Sequence, residues 1–315
     1  MLKYATLKYD HPSSNLGDNI QSIAAEQFLP HVDLKFDRDA LNQVTTDEKH
    51  LLLMNGWFTT MPQNWPPSES IVPIFVGFHI ENSKRTHELL LNPQSIEYFK
   101  RHEPIGCRDE TTAKLLSERG IRTYYSKCLT ITFPRRQLEP NNGKVFLVDA
   151  DSIPIPKSIE REAIQITHQI AFFCPDEIKS EMARFLLDMY KNQARLVITT
   201  KLHCALPCIA LGVPVVFFGD PDEYRIALLE DLGVKINKKP YFIGRSICTL
   251  LRLLKIQFKG KPVGKVASSL RDLFHQMLIN KHVNWNPEPV SIETEKVKLI
   301  DNIENEIRIK ESAYA

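Results

Sequence analysis

The most regular stretch of the chain, residues 196–218, reads LVITTKLHCALPCIALGVPVVFF. It contains an apolar run of strand length, Leu196–Thr199, and an apolar segment of helix length, Lys201–Leu211. Gly212 is the predicted stop of that helix, and a second apolar run, Pro214–Phe218, follows at once. Because parallel strands are joined through such helical crossovers, this stretch predicts a β-α-β unit in a parallel sheet.

Strand-like and helix-like segments also alternate through the first half of the chain. Leu2–Tyr9 predicts a strand, and a helical pattern follows from Asn19 to Phe28 with Asp18 as its N-cap. A helix from Arg108 is expected to end near Gly120, and the aromatic and Pro-rich segment Trp57–Ser70 is expected to be irregular. Further strands are predicted at Leu51–Asn55, Ile71–Gly77, Ile105–Cys107, Thr123–Thr132 and Val145–Asp149.

The chain has 315 residues, which exceeds the usual size of one compact domain. A break rich in Pro, Asn and Arg at residues 134–143 predicts a linker. We therefore expect an α/β fold with two Rossmann-like domains, residues 1–136 and 144–290, and a C-terminal helix over 291–315. That helix either packs back on the protein or binds a partner. Its apolar side is predicted from the spacing of Val297, Ile300, Ile303 and Ile307.

Composition limits the partners and the compartment. The formal net charge is +2, which provides no global field for nucleic acid, so no nucleic-acid partner is expected. The chain lacks a secretory signal pattern and a membrane-length apolar run, which predicts a cytoplasmic protein with reduced thiols. Cys204 and Cys208 have no second pair at metal-ligand spacing, so no metal is expected.

The segment Arg245–Lys281 carries eight cations and one acid, Asp272, and is either a solvated basic face or a peripheral contact with anionic lipid.

Polar residues are concentrated at three strand-to-helix junctions. They are Asn15–Asn19, which contains Gly17 and Asp18, then Gly106–Asp109, and finally Thr199–His203. In open α/β sheets, ligands bind beyond the carboxyl ends of the strands, where helix N-termini present free amides and partial positive charge. These junctions are therefore the candidate binding sites.

The cations at these junctions suggest that the ligand is an anion. Lys201 and His203 lie at the positive end of a helix, where cations are unfavourable unless an anion binds there. Alternatively, both side chains turn to solvent, or His203 is a core histidine. Arg108 leaves a similar choice, because Asp109 or Glu110 is available as an ion-pair partner. The residues alone do not decide between these interpretations.

Four segments, three of which carry these junctions, resemble in order the motifs of the polysaccharide pyruvyl transferase family. Together they cover roughly residues 10–220. They are residues 15–22 (NLGDNIQS), residues 104–109 (PIGCRD) with Thr112 following, residues 125–130 (YSKCLT), and residues 199–205 (TTKLHCA) continuing through residues 211–215 (LGVPV).

The resemblance implies a fold, a reaction and a set of site residues. Members of the family resemble two-Rossmann-domain proteins of glycosyltransferase-B type, and they transfer the enolpyruvyl group of phosphoenolpyruvate to two sugar hydroxyls as a cyclic ketal. The acceptor implied here is a sugar of a surface polysaccharide or its lipid-linked oligosaccharide precursor. This chain has Lys201 where the family motif usually has Arg, so a point charge replaces a two-pronged donor. The donor-binding residues implied are Arg108, Lys201, Leu202, His203 and Arg225.

Roles in the reaction follow as hypotheses. His203 is the candidate general acid, because the ordinary pKa of histidine lies near neutral pH. Asp18 is the candidate base for the sugar hydroxyl. We expect no metal or cofactor, since cationic side chains can neutralise the phosphate. The acceptor is expected beside Asn15 and Gly17, and it stacks on Trp57 and Trp65 together with Phe58 unless these rings pack in an irregular loop.

Two other functions are compatible with the same residues. A glycosyltransferase of the same architecture would place a nucleotide-sugar diphosphate near the same helix N-terminus. A glycan-binding or scaffold protein on a degenerate enzyme fold is the third hypothesis, with Lys201 as its evidence.

Overall fold

The computed structural model describes residues 2–10, 13–58, 60–151, 153–171, 173–238 and 282–315. The basic segment Arg245–Lys281 lies outside the described residues, and so does part of the predicted second domain. Both expectations about the basic segment therefore stay predictions. In the part of the chain that is described, no helix is long and apolar enough to cross a membrane.

The first half of the chain forms a six-stranded parallel sheet in the order β2-β1-β3-β4-β5-β6. The strands predicted at residues 2–9, 51–55, 71–77 and 105–107 are all confirmed within a few residues. The strands are β1 (Lys3–Lys8), β2 (Leu34–Asp37), β3 (His50–Trp57), β4 (Ile71–His79), β5 (Ile105–Cys107) and β6 (Thr123–Tyr125).

The second half forms a five-stranded parallel sheet in the order β11-β10-β9-β7-β8. The β-α-β unit predicted at residues 196–218 is confirmed as β9, a helix and β10, and Gly212 has a φ of +76° after that helix. The strands are β7 (Lys144–Val148), β8 (Ile164–Ile166), β9 (Ala194–Thr199), β10 (Val215–Gly219) and β11 (Ile236–Lys238).

Nine α-helices lie within the described residues, and most connect or cover the strands. Short 3-10 helices occur at Arg38–Gln43, Pro62–Asn64, Leu129–Thr132 and Tyr224–Ile226. The α-helices are α1 (Leu16–Glu26), α2 (Lys84–Leu90), α3 (Pro93–Arg101), α4 (Glu110–Ser117), α5 (Lys157–Glu162), α6 (Asp176–Gln193), α7 (Leu202–Ala210), α8 (Ala227–Asp231) and α9 (Glu293–Ala313).

Both sheets reverse their strand order at an internal point. The order reverses between β1 and β3 in the first sheet and between β7 and β9 in the second. Ligands of Rossmann-like α/β folds bind beyond the carboxyl ends of the strands at such points. Helix α1 follows β1 and packs against α6 and α7 of the second half, so the two reversal points lie next to each other across shared helices. One hydrophobic core cluster accordingly contains residues of both sheets.

Two local predictions are corrected. The strand predicted at Thr123–Thr132 ends at Tyr125, because Lys127 has a φ of +60° that breaks the extended backbone, and a buried 3-10 helix follows. Asp18 is not the N-cap of α1. The helix begins at Leu16, and the side chain of Asn15 accepts a hydrogen bond of 3.1 Å from the amide of Gly17, so Asn15 performs the capping and Asp18 is free for other contacts.

The C-terminal helix α9 packs on the protein, with contacts to Leu129–Thr132 and β4. Its buried face contains Leu299, Ile303 and Ile307. Val297 was predicted on the same face but is 53% exposed, because the helix turns Lys296 inward instead. The Lys296 ammonium donates a hydrogen bond of 2.9 Å to the Ala210 carbonyl at the end of α7, which satisfies the buried charge at a favourable helix terminus.

Candidate functional site

Strand ends from both sheets meet at one cavity of about 330 Å³. Of the site residues predicted from the sequence, all except Gly17, Phe58 and Trp65 line it. The lining residues are Asn15, Asp18, Trp57, His79, Arg108, His168, Thr200, Lys201, Leu202, His203, Glu223, Arg225 and Ile226.

Arg108 follows β5 and carries a buried charge. It is 3% exposed, and its Nε has no hydrogen-bond partner among the described residues. The expected ion pair with Asp109 does not form, because the Asp109 carboxylate caps α4 and contacts His79 instead. No carboxylate of the described chain lies within ion-pair distance of Arg108. Burial lowers the pKa of Arg108, and an unpaired buried guanidinium is costly, so this position favours an anionic ligand.

The N-terminus of α7 lies on the same cavity. Lys201 immediately precedes the helix, and the Lys201 carbonyl accepts hydrogen bonds from the amides of Cys204 and Ala205. The amides of Leu202 and His203 therefore belong to the first turn, which has no intrahelical acceptors. Helix N-termini with such amides bind phosphates and carboxylates. The α7 terminus and Arg108 thus bring positive potential to the same cavity from the two sheets.

His203 is fixed in place by close contact between α1 and α7. A Cβ added to Gly17 would lie 2.9 Å from the Cβ of His203, so only glycine permits this approach. The His203 Nε2 atom is buried and has no hydrogen-bond partner in the part of the chain that the structure describes. Burial, and then the neighbouring Arg108, hold the pKa of His203 well below its usual value. The imidazole is therefore neutral in the unliganded protein at neutral pH, which corrects the argument that an ordinary pKa suits it as an acid.

We predict that Gly17→Ala separates α1 from α7. The added methyl overlaps His203, and overpacking of this kind destabilises proteins by about 1–3 kcal/mol. Urea denaturation measures this loss, and Gly120→Ala is a control at a glycine whose added Cβ meets nothing within 4 Å, although its φ of +73° imposes local strain. Gly17 itself has no positive φ, so a Gly17→Ala variant as stable as the wild type would contradict the predicted overlap with His203.

His79 is a site residue that the sequence analysis missed. It ends β4 beside Arg108, is 2% exposed, and places its Nδ1 2.6 Å from the Asp109 Oδ2. Asp109 also accepts hydrogen bonds from the Thr112 amide (2.8 Å) and hydroxyl (3.1 Å). Burial, followed by Arg108, lowers the pKa of His79 to about 4. The predicted strand Ile71–Gly77 stopped two residues short of it, so its place at a strand end was not visible.

His168 is a second missed residue, since the strand that precedes it, β8, was not predicted. It is fully buried, and its Nε2 lies 2.8 Å from the Tyr190 hydroxyl, while its Nδ1 has no hydrogen-bond partner within the described ranges of the chain. Its carbonyl accepts a hydrogen bond of 2.9 Å from the amide of Leu16 at the start of α1. His168 therefore joins the two halves of the protein beside the cavity and provides another unsatisfied buried nitrogen there.

Asp18 lies on the cavity wall with both carboxylate oxygens in contact with donors. The Ser13 hydroxyl donates to Oδ2 at 2.8 Å, and Gln21 Nε2 donates to Oδ1 at 3.4 Å. The Arg38 Nη1 lies 3.6 Å from Oδ2, and the Arg38 side chain is buried. Arg38 follows β2 and was not identified from the sequence. These contacts fix the orientation of Asp18 and keep a counter-charge beside it.

The cavity rim is formed by residues with greater freedom. Arg225 is 53% exposed at its side chain and pairs with Glu223, another lining residue. Trp57 ends β3 and is 36% exposed, so one of its faces is accessible. Trp65 lies elsewhere. It is 7% exposed and stacks on Phe99 within an aromatic core, so a sugar has no access to its ring, and the expectation that it binds the acceptor is corrected.

The buried histidines predict how the stability of the fold depends on pH. A histidine whose pKa is lower in the folded than in the unfolded chain binds more protons when unfolded, so stability is lost as pH falls below about 6.5. His79, with a folded pKa of about 4, and His203 both belong to this class. We expect the urea midpoint to fall between pH 6.5 and 4, and to fall less in His79→Asn. A midpoint that is constant over this range contradicts the prediction.

No metal-binding cluster is apparent at the cavity. Within the described residues, no group of three or more His, Cys, Asp or Glu side chains is arranged to hold a metal ion. The charged side chains that line the cavity are three cations, Arg108, Lys201 and Arg225, and two carboxylates, Asp18 beside Arg38 and Glu223 paired with Arg225. Such a set suits an anionic small molecule better than a cation.

The fold and the site define a Rossmann-like α/β protein with a cationic cavity at the strand ends of two parallel sheets. The polysaccharide pyruvyl transferase family model matches residues 15–222, and the chain belongs to that family, which implies a transferase. The match covers the junctions that build the cavity. No curated protein sequence matches the chain significantly. A crystal structure of a functionally uncharacterised protein from Klebsiella pneumoniae is similar at a TM-score of 0.44 and 10% identity, with 75% of this chain and 92% of that chain covered.

Proposed function

We propose that the protein transfers the enolpyruvyl group of phosphoenolpyruvate to two hydroxyls of a sugar in a surface polysaccharide or its lipid-linked precursor, forming a cyclic ketal. The observation that carries the proposal is the buried Arg108, whose charge has no counter-ion in the described chain and whose Nε has no partner. Family membership supplies the reaction type. The two-sheet arrangement around the cavity also supports an architecture of glycosyltransferase-B type.

The donor has a phosphate and a carboxylate, and the cavity offers separate groups for each. Arg108 approaches from the first sheet, while Lys201 and the first amides of α7 approach from the second. Charge-assisted hydrogen bonds to these groups are stronger than neutral ones, and helix amides add to them. Arg225 can leave Glu223 and contact the donor at the rim, since its side chain is half exposed. Trp57 offers its exposed face to the acceptor ring, beside Asn15.

The reaction requires proton transfers that balance. A sugar oxygen bonds to C2 of the donor, a proton is added to its methylene carbon, phosphate leaves with the C2–O electron pair, and a second sugar oxygen bonds to C2. One hydroxyl proton in effect reaches the methyl carbon, and the other leaves with phosphate. In our proposal Asp18 accepts the proton of the first hydroxyl. His203 is the donor to the methylene carbon once the bound anion has raised its pKa.

Binding should therefore be linked to proton uptake. His203 is neutral before binding because burial and Arg108 lower its pKa, and an adjacent anion favours the charged imidazolium. We expect the apparent enthalpy of phosphoenolpyruvate binding at pH 7 to differ between phosphate-free buffers of different ionisation enthalpy. The dependence on buffer should correspond to net proton uptake by the complex. His203→Gln should abolish most of that difference. Identical enthalpies in all buffers for the wild-type protein would contradict the role of His203.

A thermal-shift screen tests the donor itself. A ligand that binds only the folded state raises the melting temperature, and the rise grows with the ratio of ligand concentration to Kd. We expect stabilisation by phosphoenolpyruvate and less by inorganic phosphate, which lacks the carboxylate. Stabilisation by nucleotide sugars without any by phosphoenolpyruvate would instead favour a glycosyltransferase.

A further inference from the structure

A buried histidine–carboxylate pair in the cavity has no role in the scheme above. Within the described chain, His79 and Asp109 are both almost fully buried and lie 2.6 Å apart. Adjacent strands fix the backbones of both residues. Phe78 pairs with Cys107, and the Arg108 amide donates a hydrogen bond of 2.9 Å to the Phe78 carbonyl. His79 and Arg108 therefore emerge side by side at the carboxyl ends of β4 and β5.

The geometry fixes the tautomer of His79. Asp109 is the N-cap of α4, and the Thr112 amide and hydroxyl both donate to it, which leaves the carboxylate as an acceptor toward His79. The hydrogen bond from His79 is also what lowers the pKa of Asp109 against the opposing effect of burial. Nδ1 of a neutral His79 therefore carries the proton, and Nε2 is left with a free lone pair on a residue that lines the cavity.

Ketal formation releases a second hydroxyl proton, which has to reach the departing phosphate. Two hydroxyls react, and Asp18 is oriented by Ser13, Gln21 and Arg38 to receive one proton. We propose that His79, oriented by Asp109, accepts the proton of the second hydroxyl as the ring closes. This inference rests on the proposed function. The inference extends the proposed function by assigning a second base, and it makes Asp109 a positioning residue that does not touch the substrate.

The step is balanced as follows. The second sugar oxygen forms its bond to C2 after phosphate has departed with its electron pair, and its proton passes to Nε2 of His79. The resulting imidazolium is stabilised by the Asp109 carboxylate. It returns the proton to the phosphate, which is held by the adjacent Arg108, and phosphate leaves protonated. No additional oxidant, reductant or cofactor is needed.

Several charged and titratable groups face His79 and affect its titration. Arg108 and Arg225 oppose protonation, while Asp109 favours it. Tyr224 lies over the ring with its centroid 5.9 Å away, and His203 faces the same space from α7. Because the cations and burial outweigh Asp109, His79 stays neutral at neutral pH, which is the form that a base requires.

The test uses the full chain, phosphoenolpyruvate and four methyl hexopyranosides (gluco, galacto, manno and N-acetylmanno) as acceptors, with phosphate release as the rate. His79→Asn and Asp109→Asn are each expected to lower kcat about 100-fold or more, while the Kd for phosphoenolpyruvate changes by less than about twofold. Asp109→Asn keeps a good N-cap, so α4 stays intact. In Asp109→Asn the acidic limb of the pH profile of kcat/KM should also move to lower pH, since His79 loses the carboxylate that favours its protonation.

His50→Asn is the matched control. His50 is also fully buried in the same sheet, at the opposite end of the neighbouring strand β3, and it lines no part of the cavity. Its kcat is expected to remain at the wild-type value. Wild-type kcat in His79→Asn or Asp109→Asn overturns the role of the pair while leaving the proposed function intact. A wild-type chain that neither binds phosphoenolpyruvate nor releases phosphate with any of the four acceptors overturns the proposed function, and the role of the pair with it.

Discussion

Arg108→Met is expected to weaken phosphoenolpyruvate binding about 100-fold, or about 3 kcal/mol, without weakening the fold. Arg108 is 3% exposed, and its charge has no ion-pair partner in the described part of the chain. Methionine fills similar space with no charge to desolvate, so the unliganded variant should be as stable as the wild type or more stable. Calorimetric titration gives the affinity, and urea denaturation gives the free energy of unfolding.

The combination of these two results is what distinguishes a binding residue from a structural one. Arg122→Met removes an exposed arginine that pairs with Glu103 outside the cavity, and it should leave both measurements nearly unchanged. Two results would contradict our assignment of the cavity as the donor site. One is wild-type affinity for phosphoenolpyruvate in Arg108→Met, and the other is a large loss of stability, which would indicate that Arg108 stabilises the fold.

Trp65→Ala is expected to destabilise the protein by about 3–5 kcal/mol. The Trp65 ring stacks on Phe99 at 5.3 Å between centroids and contacts Phe78 at 5.6 Å, so truncation leaves a large void in the first sheet's core. Trp57→Ala should cost little stability, since Trp57 is 36% exposed at the cavity rim. Urea denaturation of both variants provides the comparison.

The same pair of variants separates packing from acceptor binding. Trp57→Ala should raise the acceptor KM, by an amount equivalent to about 1 kcal/mol of lost stacking, and leave the Kd of phosphoenolpyruvate unchanged. Where Trp65→Ala folds, its remaining active fraction should have an unchanged acceptor KM. A stable Trp65→Ala variant with an impaired acceptor KM would reverse our assignment of the two rings.

Much of the site was predictable because its residues follow strands with clear apolar patterns. The run Leu196–Thr199 and the helix after it place Lys201 and His203 at a strand end, and a parallel sheet brings such ends together. The same reasoning applies to Arg108 after Ile105–Cys107. Family order then linked junctions that are distant in the sequence.

The residues that were missed depend on contacts that one chain segment does not reveal. His79 belongs to the site because β4 extends two residues past its predicted end at Gly77, and Asp109 holds His79 from another strand end. His168 follows a three-residue strand whose pattern is too short to identify. Trp57 and Trp65 both stand at or near the irregular, Pro-rich segment, and tertiary packing decides which of the two rings is buried.

The pKa of His203 could also not be predicted from the sequence. Its ordinary value near neutrality suggested an acid, whereas the folded protein surrounds it with Arg108, Arg225 and two other histidines and buries it. The sequence places these cations at separate junctions, and their convergence appears only when both sheets are folded. In the proposed mechanism the acid role of His203 depends on the bound anion, so donor binding and proton donation are linked.

A crystal structure of the protein soaked with phosphoenolpyruvate tests the central claim most directly. The account predicts one molecule of phosphoenolpyruvate in the cavity, with its anionic groups in contact with Arg108 on one side and with Lys201 and the amides of Leu202 and His203 on the other. An empty cavity at saturating phosphoenolpyruvate, with a nucleotide sugar bound there in a parallel soak, would contradict it.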